Sequence, residues 1–89
     1  MAHCPPELLD DLADLFAELR TWPAVVEKKF AVFYVRRNPF LHFHVDSNGK
    51  RHADIKGQTG WVRHDLPRPA SMTRRRAFLR ELRRHYAEK

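Results

Sequence analysis

The sequence predicts an α+β domain. It has an N-terminal helix, an antiparallel meander of four or five strands and a C-terminal helix, with both helices on one face of the sheet. Three observations carry that expectation. Apolar and polar residues alternate through Leu41–Val45 and again after Asp46-Ser47-Asn48-Gly49, the period-two pattern of half-buried strands. Leu8, Leu12, Leu15 and Leu19 recur at helical spacing near one end, widened by Leu9 and Phe16. Phe78, Leu79, Leu82 and Tyr86 do the same near the other end.

Each element has a local cause. Pro5 and Pro6 open the first helix, where no backbone donor is needed. Glu7, Asp10 and Asp11 suit its positive end. Trp22-Pro23 ends it. Ala24–Arg36 is rich in Val, Phe and Tyr and reads as one strand kinked near Glu27–Lys29, or as two short ones. Arg37-Asn38 reads as the following turn, which places Val32 beside Phe43, Tyr34 beside Leu41 and Phe33 beside His42.

The central hairpin is the most closely specified element. Asp46 suits the start of a type I turn, and Gly49 takes the left-handed conformation that closes a three-residue loop. Asp46 then lies opposite Lys50. Leu41 faces Ile55 and Phe43 faces Ala53, while His42 meets Asp54 and His44 meets His52 on the other side. This register keeps both faces consistent. Lys56–Trp61 is the next turn, setting Ile55 against Val62 and Asp54 against Arg63, with His64 on the apolar side. Leu66-Pro67-Arg68-Pro69 is a stiff exit, and Ser71 caps the last helix.

Eighty-nine residues, 43% of them apolar, allow one small domain, 1–89, with residues 1–4 as a tail. The single cysteine, Cys4, excludes an internal disulfide and a cysteine-rich zinc site. Met1–Pro6 lacks the basic start and apolar run of a signal peptide, and no stretch is long enough to span a membrane. A cytoplasmic protein without membrane contact is expected. The formal charge of +6 is uneven, because residues 1–20 hold five acids against one base, whereas residues 71–89 hold seven bases against two acids. Opposite ends of opposite sign can neutralise each other.

Two clusters invite a functional reading. His42, His44, His52 and Asp54 share one strand face, and three imidazoles with a carboxylate are a donor set that suits zinc. The structural alternative is a polar network in which Asp54 orients His42 and pairs with Arg63. Arg74, Arg75 and Arg76 oppose the dipole at the start of the last helix, where a bound phosphate or nucleic-acid backbone reverses the penalty, and Arg63 and Arg68 are candidates to join them. The structural alternative there is pairing with the acidic first helix. Phe33, Phe40 and Trp61 are candidate stacking surfaces on the sheet. No nucleophile–base pair stands out, since Ser47 and Ser71 are explained as turn and cap.

The order Trp22-Pro23-Ala24-Val25, Phe30–Val35, Phe40-Leu41-His42-Phe43-His44, Gly60-Trp61-Val62 and a helix holding Leu82 and His85-Tyr86 resembles the small bacterial luciferase-like domain, over roughly residues 22–86. The matching positions are the pair His42 and His44, the late aromatic Trp61, and Tyr86. The family is largely uncharacterised in bacteria, so the resemblance implies no activity. Family members tend to carry a longer segment where this chain has the short Lys56–Trp61 turn.

The reading that follows is a small, non-catalytic binding or interaction module. Its alternatives are metal binding at the histidine face and anion binding at the basic helix. Ala31, Phe33, Val35 and Phe40 are expected beside the histidines on the uncovered sheet face, an apolar surface that a symmetric homodimer would bury.

Overall fold

A computed structural model of the chain describes residues 2–89. Strand β1 (Ala2–His3) leads into a 3-10 helix (Pro6–Leu12) and then helix α1 (Ala13–Leu19). Strands β2 (Val25–Lys29), β3 (Val32–Val35), β4 (Asn38–Val45), β5 (Arg51–Lys56) and β6 (Trp61–Asp65) form an antiparallel meander, and helix α2 (Met72–Ala87) closes the chain. The α+β architecture expected from the sequence is the one observed. No helix among the described residues is long and apolar enough to cross a membrane.

The β4–β5–β6 register follows the sequence expectation throughout. Leu41 pairs with Ile55, His42 with Asp54, Phe43 with Ala53 and His44 with His52. Asp54 pairs with Arg63 and Ile55 with Val62. The Asp46 carboxylate accepts from the Asn48 and Lys50 amides at 2.9 Å, and Gly49 has a φ of 78°. That carboxylate and that glycine together fix the loop length.

The β3–β4 register differs. The turn is Arg36-Arg37, both at positive φ (50° and 72°), so Val35 pairs with Asn38. At the turn this moves the pairing by two residues, with Tyr34 opposite Pro39 instead of Leu41, but an irregularity at Phe40 takes one residue back, so Phe33 lies opposite Leu41 instead of His42. In a strand, a one-residue slip exchanges the faces. Phe33 and Val35 therefore point into the core, and Val32 and Tyr34 lie on the outer face. The extra residue, Phe40, turns inward beside Leu41, and both are fully buried.

The consequence for assembly is direct. Ala31, Phe33, Val35 and Phe40 are all buried within the chain. The apolar face on which the expectation of a homodimer rested is consumed by the helices. Phe16 of α1 sets its ring against Phe33 and Phe43, and Phe78 of α2 packs on Phe43. Tyr86 reaches Phe40 and Trp22, and its hydroxyl donates to the Pro23 carbonyl at 2.6 Å.

The N-terminus also departs from a tail. Ala2 and His3 pair with Val45 and His44, and Cys4 is buried with its amide donating to the Phe43 carbonyl. The acidic segment is tied down by bases. Arg68 pairs with Asp10, Arg75 with Asp14 and Arg83 with Glu18. Arg51, only 3% exposed, forks onto Asp11 and also donates to the Leu8, Leu66 and Pro67 carbonyls. Burial pushes the Asp11 carboxyl up, but hydrogen bonds from Arg51 and the Ala70 amide outweigh it and hold the group at about 2.

Candidate metal site on the open sheet face

Both helices pack on one side, and among the described residues no helix covers the other face of the sheet. His42 and His44 are two residues apart on β4 and so project from the same face. Asp54 reaches that face from β5, directly opposite His42. One donor atom from each of His42, His44 and Asp54 lies within 4.8 Å of the others. His44 Nε2 stands 3.5 Å from Asp54 Oδ2. The His42 ring meets His44 edge-on at 4.3 Å and Trp61 at 4.4 Å.

The electrostatics favour the ligating forms. Burial, helped by the neighbouring His44, lowers the His42 pKa and keeps its imidazole neutral. Burial opposes ionisation of Asp54. The two hydrogen bonds from Arg63, at 3.0 and 3.1 Å, outweigh it and hold the carboxyl below its ordinary range. A neutral imidazole and an ionised carboxylate are the forms a divalent metal binds.

His52 does not join the group, although it pairs with His44 across the strands. Its Nδ1 lies 3.0 Å from Asp65 and its Nε2 3.3 Å from Asp46, so both ring nitrogens are engaged at the turn end of the sheet. No residue pattern signals this competition, because Asp46 reads as a turn residue only. His3 occupies the other flank of His44, with ring centroids 6.3 Å apart. It was missed because a two-residue strand leaves no periodicity to read.

The arginines expected to gather at an anion site are divided. Arg63, Arg68 and Arg75 each pair with a carboxylate, respectively Asp54, Asp10 and Asp14. Arg74 and Arg76 make no ion pair among the described residues. The Arg74 amide is taken by the Ser71 cap at 3.1 Å. Of the expected stacking residues, Phe33 and Phe40 are buried and Trp61 remains exposed.

Comparison of the chain with protein-family models, with characterised proteins and with solved structures returned no match. Nothing in them bears on the luciferase-like resemblance, and the site's own geometry carries the functional argument.

Proposed function

We propose that this protein is a small, non-catalytic binding module whose open sheet face holds a divalent transition-metal ion, zinc foremost, through His42, His44 and Asp54. The observation that supports the reading is the convergence of two imidazoles and a carboxylate within 4.8 Å on one uncovered face. Imidazole and carboxylate together suit zinc, and three protein ligands leave a fourth position for solvent or a partner's side chain. Arg63 has a dual effect here. It keeps Asp54 ionised, and it occupies both carboxylate oxygens, so metal has to share Asp54 with it.

Zinc titrated into protein prepared without a histidine tag is expected to raise the melting temperature. A ligand that binds only the folded state adds about 2.7 kcal/mol at a hundredfold excess over its dissociation constant. In a domain of this size that is roughly 10–20 °C. The part of the gain due to this site disappears in His44→Ala. Equal gains in wild type and His44→Ala contradict the assignment.

A further inference from the structure

We propose that His64, Glu81 and His85 form a second divalent-metal site, separate from the open face, that ties β6 to helix α2. One donor atom from each of the three lies within 4.8 Å of the others. The donors come from two elements far apart in sequence. His64 lies on β6 and points to the helix side, where its ring meets Phe78 at 5.7 Å. Glu81 and His85 are four residues apart on α2, so they lie one above the other on one helix face.

The three groups are brought together without bonding to one another. No hydrogen bond links them, and His64 Nε2 and His85 Nδ1 are buried without a hydrogen-bond partner. His85 is only 4% exposed. Its Nδ1 is 3.7 Å from the Glu88 carboxylate, beyond hydrogen-bond reach. Buried polar atoms are rarely left in this state in folded proteins. A cation held by the two rings uses a lone pair of each and offsets the cost of burying them.

The chemistry and the access both fit. Two imidazoles and one carboxylate form a nitrogen-rich donor set suited to zinc. Donors around a tetrahedral zinc stand about 3.3 Å apart, given bonds of about 2.0–2.1 Å. Binding therefore requires the three donors, now within 4.8 Å of one another, to draw closer. Arg84 donates to Glu81 Oε1 at 2.7 Å, which leaves the second carboxylate oxygen for the metal and orients the group. A cleft of about 140 Å³, lined by His64, Arg74, Phe78 and Glu81 among others, opens the site to solvent.

Counting bound zinc tests this independently of the open-face site. Tag-free full-length protein is equilibrated with zinc and dialysed, and its metal content is compared with that of Glu81→Gln, His64→Ala and the double variant His42→Ala/His44→Ala. Circular dichroism confirms that each variant is folded. Two equivalents in wild type, falling to one in Glu81→Gln and to one in the double variant, support both sites. One equivalent that is lost in Glu81→Gln and His64→Ala but kept in the double variant supports this site and overturns the open-face site. A content unchanged by both Glu81→Gln and His64→Ala overturns the second site, as does wild type that binds no zinc. Substituted cobalt gives a second readout, because its visible absorption is expected to change in Glu81→Gln if the carboxylate is a ligand.

Discussion

Arg51→Met is expected to destabilise the fold by about 3–5 kcal/mol, because it removes one partner of a buried ion pair and strands the other. Asp11 then loses both guanidinium hydrogen bonds, and the Leu8, Leu66 and Pro67 carbonyls lose their donor. Urea denaturation measures the loss, and against a total of roughly 5–15 kcal/mol it is a large fraction. Adding Asp11→Leu is expected to recover part of it, since replacing both members of a buried pair by apolar groups is often tolerated. The pair also has a pH signature. The carboxyl sits at about 2 in the folded chain against an ordinary 3.8. Its stabilisation of about 2 kcal/mol is thus complete above pH 4 and is lost as pH falls toward 2. Asp11→Asn is expected to be less stable at neutral pH and to lose less on acidification. A variant as acid-sensitive as wild type contradicts this account of the pair.

Phe33→Ala is expected to cost about 3–5 kcal/mol, as a fully buried aromatic ring is replaced by a cavity. Val32→Ala, on the outer face of the same strand, is expected to cost about 1 kcal/mol or less. The contrast tests the strand register, because the register read from sequence puts Val32 inside and Phe33 outside. Equal costs, or the reverse order, contradict the observed pairing.

The difference between the well-read and the misread strands has a physical origin. The β4–β5 loop carries an aspartate that caps its own turn and a glycine at the one position that needs positive φ, so loop length and pairing follow from residue type. The β3–β4 turn sets two arginines at positive φ. Arginine has no preference for that conformation, and tertiary packing of Phe33, Val35 and Phe40 overrides the local cost. Asn38 is the better turn former in isolation, and it drew the expected turn one residue too far along. The inward turn of Phe40 depends on an irregular pairing that no alternation pattern reveals.

The candidate sites divide in the same way. His42, His44 and Asp54 were legible because they lie on the strongly specified hairpin. His52 was misassigned because its partners Asp46 and Asp65 come from a turn and the next strand. Glu81 and His85 lie one turn apart on α2, a spacing too common on a helix to single them out. That His64 faces them depends on how α2 lies across β6, which is set by core packing and not by any local motif.

The most direct test of the open-face site is long-range proton–nitrogen NMR of the histidine rings during a zinc titration at neutral pH. The ring nitrogens of His42 and His44 are expected to shift together and saturate with one zinc, while those of His52, held between Asp46 and Asp65, stay in place. If His42 and His44 do not move, or if His52 shifts in place of either, His42, His44 and Asp54 are not the ligands and the proposed function fails.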